Sequence, residues 1–107
     1  MEISLDGWDI QSGDAAEWVP WGTRGDAKAK ILGQADGHVV AYVHADAGYS
    51  GDAHEHAHPE FFYLLEGSVR NQGRQMLAGD GYAAATGSTH ADFATETGAT
   101  YLIIFKL

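Results

Sequence analysis

Residues 48–67 read Gly48-Tyr49-Ser50-Gly51-Asp52-Ala53-His54-Glu55-His56-Ala57-His58-Pro59-Glu60-Phe61-Phe62-Tyr63-Leu64-Leu65-Glu66-Gly67. The second half, Phe61 to Leu65, is aromatic and apolar and predicts a core β-strand that ends at Gly67. The first half carries imidazoles and a carboxylate at the mouth of that strand. Side chains alternate along a strand with period two, so His54 and His56 share a face, and Glu60 keeps their parity if the chain stays extended past Pro59. Imidazole nitrogens and one carboxylate oxygen suit a divalent transition metal: iron, manganese, zinc, nickel or copper. His90 is a fourth candidate farther on. His58 has the same parity, so a register using His56 and His58 is open on spacing alone. A metal-free surface cluster is the bland alternative. Against it, Glu60 runs directly into apolar strand residues rather than into a polar tail.

Outward from this stretch, short β-prone runs alternate with turn residues. His38–Ala45 alternates cleanly, with Val39, Ala41, Val43 and Ala45 on one face. Strands are expected at about 27–32, 38–45, 60–70, 74–77, 82–85, 90–95 and 100–107. Asn71-Gln72-Gly73 and Ala78-Gly79-Asp80-Gly81 read as turns. Turn signals recur at a spacing of about 8–12 residues, which predicts an all-β sandwich or barrel. Residues 1–16 are polar and acidic with scattered anchors (Ile3, Leu5, Trp8, Ile10), and read as an N-terminal arm holding at most a short edge strand. Residues 17–107 read as one β-barrel domain. Trp18, Val19 and Trp21 are expected to cap one end of its core.

The chain has 107 residues, 45% of them hydrophobic, enough for one modest core. Its formal charge of −9 repels phosphate backbones and anionic lipid, so neither nucleic acid nor a membrane is an expected partner. It contains no cysteine, which removes disulfides, thiolate ligands and a thiol nucleophile. The start, Met-Glu-Ile-Ser-Leu-Asp-Gly-Trp, lacks the basic and apolar segments of a signal peptide, and a cytoplasmic protein is expected. His38 and His44 lack paired spacing and read as structural groups.

The pattern of residues 48–94 resembles the cupin superfamily. Its first motif, G-x5-H-x-H-x3-E-x6-G, is matched by Gly48, His54, His56, Glu60 and Gly67. Its second, G-x5-P-x-G-x2-H-x3-N, is matched by Gly79, Gly87 and His90, while Ala85 and Ala94 stand at the proline and asparagine positions. The Trp18-Val19-Pro20-Trp21 stretch is also similar to the cupin branch that includes cupin-type zinc-binding anti-sigma factors and small diketone- or acetophenone-cleaving dioxygenases. The resemblance implies a double-stranded β-helix of the RmlC-like jelly-roll type. It favours the His54–His56 register and implies His54, His56, Glu60 and His90 as metal ligands inside the barrel mouth.

Strand parity nominates the substrate pocket. Phe62 and Leu64 follow Glu60, Asp92 and Ala94 follow His90, and Tyr42 joins them from the 38–45 strand. A largely apolar pocket beside an open metal site fits a small organic ligand. The expected function is a metal-dependent cupin, foremost an O2-using dioxygenase. The alternatives are a non-catalytic metal-bound sensor or binding module and a sugar isomerase or epimerase. The outward residues Phe61, Tyr63 and Leu65 predict a homodimer.

Overall fold

The computed structural model describes residues 2–107, so Met1 of the expected arm lies outside it. Ten strands account for its regular structure: β1 (Val19–Pro20), β2 (Ala27–Ala35), β3 (His38–Ala45), β4 (His54–Glu55), β5 (Glu60–Asn71), β6 (Arg74–Leu77), β7 (Gly81–Ala84), β8 (Thr89–His90), β9 (Phe93–Ala94) and β10 (Ala99–Lys106). Every pairing is antiparallel. The main sheet runs β1-β2-β3-β10-β5-β6, with β7 and β9 also on β5, and β4 pairs with β8 apart from it. The result is an all-β, curled barrel, as the turn spacing predicted and of the kind the resemblance implied. No helix among the described residues is long and apolar enough to cross a membrane.

β5 curls the sheet by changing partners along its length. Residues 61–67 pair with β10, and residues 68–71 pair with β6. The change falls at Gly67, which has φ +82°, a left-handed conformation that favours glycine. A Cβ there would also run into the carbonyl of Gly98, so a side chain is excluded twice. The register shifts between Thr100 and Tyr101 of β10, opposite which β5 carries Leu65 as an extra, unpaired residue, a bulge that absorbs the local change.

Two hairpins set the remaining register. Asp36-Gly37 joins β2 to β3, and Gln72-Gly73 joins β5 to β6, each pair with two positive φ angles. That is the two-residue turn whose twist matches its flanking strands. The 36–37 turn lets β2 run to Ala35, three residues beyond its expected end at Leu32. The expected 90–95 strand is split into β8 and β9. Its middle residues are withdrawn from the ladder because the Ala91 and Asp92 N–H groups donate to the Gln72 side chain, at 2.7 and 3.0 Å.

The interior pairs small residues on one wall with large ones opposite. Ala29, Ala41, Val43 and Ala45 from β2 and β3 are completely buried. Facing them is an aromatic cluster of Phe62, Phe93 and Tyr101, with ring centroids 4.8–5.7 Å apart. Burying each such ring or a Leu side chain favours folding by about 1.5–3 kcal/mol. Of the expected capping cluster, Trp21 packs edge-on against Phe105, 5.6 Å between centroids. Trp18 instead lies outside the barrel, against Tyr42 and under the ammonium groups of Lys28 and Lys30. Residues 2–18 hold no strand. Their segment is tied to β2 where the Gln34 N–H donates to the Asp9 carboxylate, 2.9 Å, and Lys30 Nζ donates to the Gly13 carbonyl, 2.6 Å.

Candidate metal centre

β4 and β8 pair so that His54 lies opposite His90, and two residues along the chain His56 turns inward. Ligand atoms of His54, His56 and His90 all lie within 4.8 Å of one another. His56 and His90 are buried, while His54 is exposed at the rim. His58 is exposed and outside this cluster, so the structure brings together the His54–His56 register. Glu60, at the start of β5, is buried beside them. Its Oε2 lies 3.4 Å from His56 Nε2 and 3.9 Å from His90 Nδ1. His44 bonds Thr100 at 3.1 Å on the outer face, and His38 is exposed at the β2–β3 hairpin, so both lie apart from the cluster.

Protein partners decide which nitrogen each ring leaves bare. His54 Nδ1 lies 3.0 Å from the Asp52 carbonyl, which can only accept, so this nitrogen carries the proton and Nε2 is free. His56 Nδ1 lies 3.0 Å from Ser88 Oγ. The Ser88 hydroxyl spends its proton on the Ala85 carbonyl at 2.6 Å, so it accepts from His56. His56 Nε2 is thereby a bare lone pair, buried and without a hydrogen-bond partner. An orphaned buried nitrogen costs about 1–3 kcal/mol unless something satisfies it. A cation among three imidazoles and a carboxylate does so, and oriented rings of this kind are how proteins hold transition metals. The donor set therefore fits a divalent metal.

Glu60 has a partner that spacing did not reveal. The Tyr82 hydroxyl, from β7, donates to Glu60 Oε2 at 2.5 Å. Burial, and then this bond, raise the Tyr82 hydroxyl far above its ordinary value, so it stays protonated and keeps donating. The ring of Tyr82 stacks on Phe62, 4.7 Å between centroids, which holds the hydroxyl in place. His90 is shifted the other way. Burial lowers it below the ordinary imidazole value, only partly opposed by the Glu60 carboxylate, and this favours the neutral ring that a metal requires.

The cluster forms one wall of a cavity of about 220 Å3. His54, Glu60, Tyr82 and His90 meet there with Trp21, Tyr49, Phe62, Phe93, Tyr101 and Ile103. Among the five residues nominated for the pocket, Phe62 lines this cavity, and Tyr42, Leu64, Asp92 and Ala94 do not. Leu64 has the inward parity but lies deeper, fully buried in the core. Tyr42 is on the outer face of β3, because Ala41 and Val43 take the inward positions. Asp92 turns outward, where Arg70 grips it with two hydrogen bonds of 2.9 and 3.0 Å, and Phe93 takes the inward place. The break between β8 and β9 shifts the alternation by one residue. Asp52 closes the rim of the cavity, where Arg24 donates to its carboxylate at 2.7 Å.

Residues 9–106 match the family described as the ChrR cupin-like domain. The chain belongs to that family. No curated protein matches it. Solved structures agree on the fold of this ChrR-like cupin. An RmlC-like cupin from Shewanella frigidimarina is 25% identical, with a TM-score of 0.79 over 91% of this chain and 88% of that one. An acetylacetone dioxygenase from Acinetobacter johnsonii is 17% identical, with a TM-score of 0.76 over 99% and 77%. The anti-sigma ChrR of Rhodobacter sphaeroides, solved in complex with SigE, is 19% identical, with a TM-score of 0.74 over 90% of this chain and 52% of that one. The identities in the last two comparisons carry the fold alone.

Proposed function

We propose that this cupin binds one divalent transition metal through His54, His56, His90 and Glu60 and uses it to oxidise a small chelating organic molecule with O2. The observation that carries the reading is the convergence of oriented imidazoles and a carboxylate on one wall of an aromatic cavity. When bound, iron(II) would supply a Lewis acid for an enolate or phenolate and an electron source for O2. Phe62, Phe93 and Ile103 bury the apolar part of the ligand and keep water from the reacting atoms. His54, at the rim, is the ligand nearest to entering solvent. Tyr82 holds Glu60 in one rotamer. The cavity wall carries no lysine or arginine among the described residues, which disfavours the sugar isomerase alternative.

Metal analysis of anaerobically purified protein comes first, then O2 uptake after iron(II) loading with enols, 1,3-diketones and phenols. Uptake with at least one of these classes is expected. Tightly bound zinc, and no uptake across the panel, would replace this reading with a metal-bound sensor or binding module. Membership of the family named for an anti-sigma protein supports that second reading.

Assembly and location belong to the same proposal. The barrel, residues 17–107, forms a homodimer through the outer face of β5 and β10, where Phe61, Tyr63 and Ile104 are 48%, 47% and 39% exposed. Of the 1–16 arm, the described residues 2–16 lie beside it, with Ile3, Leu5, Trp8 and Ile10 exposed. A chain without cysteine suits the reducing cytoplasm.

A further inference from the structure

The cavity has a second polar region, away from the imidazoles, where Trp21, Tyr49 and Tyr101 line it. Two phenylalanines stand between the regions. Phe93 lies edge-on to His90 on one side, 5.7 Å between centroids, and to Tyr49 and Tyr101 on the other, at 6.3 and 5.6 Å. Phe62 lies between Tyr82 and Tyr101, at 4.7 and 4.8 Å. Tyr49 and Tyr101 are buried, 8% and 2% exposed.

The polar tips of the three residues influence one another. Burial raises the Tyr49 and Tyr101 hydroxyls above the ordinary phenol value, and the Trp21 N–H opposes the rise at both. Both hydroxyls therefore stay protonated near neutrality. An indole N–H only donates, so within the trio the two phenol oxygens are the acceptors, and two hydroxyls cannot donate to each other at once. At least one O–H must find its acceptor outside the trio. The side chains of Phe62, Phe93 and Ile103 beside it accept nothing. The cavity's two carboxylates are engaged elsewhere, Glu60 by Tyr82 and Asp52 by Arg24. A molecule that fills the cavity must bring the acceptor itself or leave a buried donor unpaired. Local charge limits what that acceptor is. The Asp26 and Asp52 carboxylates push Tyr49 up, and Arg24, a weaker influence, opposes them. An anionic group would meet a net negative field there, whereas a neutral carbonyl oxygen would not.

We infer that Trp21, Tyr49 and Tyr101 form a hydrogen-bond-donor pole that selects substrates carrying a neutral, carbonyl-type acceptor at the end away from the chelating oxygens. The inference deepens the metal-dependent reading above and rests on it, but its first test needs no metal. Metal-free protein is titrated with benzamide labelled with 13C at the carbonyl and followed by NMR. A carbonyl carbon that accepts hydrogen bonds moves downfield. The shift should appear with the parent and be lost with Tyr49→Phe/Tyr101→Phe. No binding to the parent at millimolar benzamide, or the same shift with the double variant, overturns the pole.

The second test uses zinc-loaded protein and three chelating probes of similar shape: catechol carrying a carboxamide, a carboxylate or an isopropyl group para to one hydroxyl. The probes differ in acidity, so the preference is read as the change between parent and variant. Calorimetry should show the preference for carboxamide over isopropyl falling about tenfold in the double variant, with zinc content unchanged. An unchanged preference, or a parent that favours the carboxylate, sinks the selection of a neutral acceptor. If the double variant does not fold, Tyr49→Phe alone decides, by losing most of the carbonyl shift and of the preference or keeping both. A parent that takes up no zinc defeats the proposed function, whereas the carbonyl shift separately judges the pole.

Discussion

At the scale of single residues, the site makes sharp demands on individual rings. His56 has its Nδ1 committed to Ser88, and its bare Nε2 is buried with no hydrogen-bonding partner from the protein. His56→Ala should remove most bound metal, measured by elemental analysis after gel filtration. His58→Ala, at an exposed position outside the cluster, should retain it. The reverse result would mean that the ligand register is shifted by two residues. His90 adds a pH dependence. Its folded-state value is lowered from 6.5, chiefly by burial, so below that value the unfolded chain binds more protons than the folded one. The stability it contributes is therefore complete above 6.5 and is lost as pH falls through the lowered value. Metal release acts in the same direction, because protonated imidazoles cannot ligate. Thermal unfolding between about pH 8 and about pH 5 should show metal-loaded protein losing its advantage over apo-protein. An advantage that grew toward acid would exclude imidazole ligands.

Much of this residue-level picture was legible before the fold. The spacing of His54, His56 and Glu60 speaks for one face of one extended segment. The partners that orient those rings were not legible. Ser88 is 32 residues from His56, and Tyr82 is 22 from Glu60. No local periodicity connects such pairs.

At the scale of elements, the outcome followed how far alternation ran without interruption. β3 and the start of β5 alternate regularly, and their inward residues agree with the sequence pattern. The 90–95 segment does not, because Gln72 diverts two of its backbone donors, and parity then nominated Asp92 where Phe93 turns inward. The Asp36-Gly37 turn carried a strong hairpin signal that could have placed the end of β2. β5 owes its change of partners to Gly67, which yields a test of the corner. Gly67→Ala combines a left-handed backbone with a steric collision against the Gly98 carbonyl. It should cost at least about 2 kcal/mol, combining backbone strain with the collision. Gly73→Ala is the control, since φ there is also positive but the space is open. Thermal melts should show Gly67→Ala falling about 10 °C or more, with a clearly smaller loss for Gly73→Ala. Equal losses would mean that backbone conformation alone, not the approach of Gly98, makes the corner.

For the whole molecule, charge and apolar surface pull in opposite directions. A formal charge of −9 makes two copies repel, while Phe61 and Ile104 face each other in register across β5 and β10 and leave an apolar patch in water. Tyr63 and the half-buried Leu102 extend that patch by the next outward pair. If the proposed dimer buries it, salt should strengthen association by screening the repulsion, because the apolar contact itself does not depend on opposite charges. Light scattering at micromolar concentration should give twice the chain mass of 11.5 kDa. Lowering the ionic strength should shift the equilibrium toward single chains. Phe61→Glu adds a charge to the centre of the patch and should yield the monomer at every salt concentration, with metal content unchanged because the side chain points away from the cavity. A mass near 11.5 kDa for the parent protein at both low and high salt would rule the dimer out. A dimer that persists in Phe61→Glu would place the interface elsewhere, with the exposed Ile3, Leu5, Trp8 and Ile10 of the arm the next surface to change.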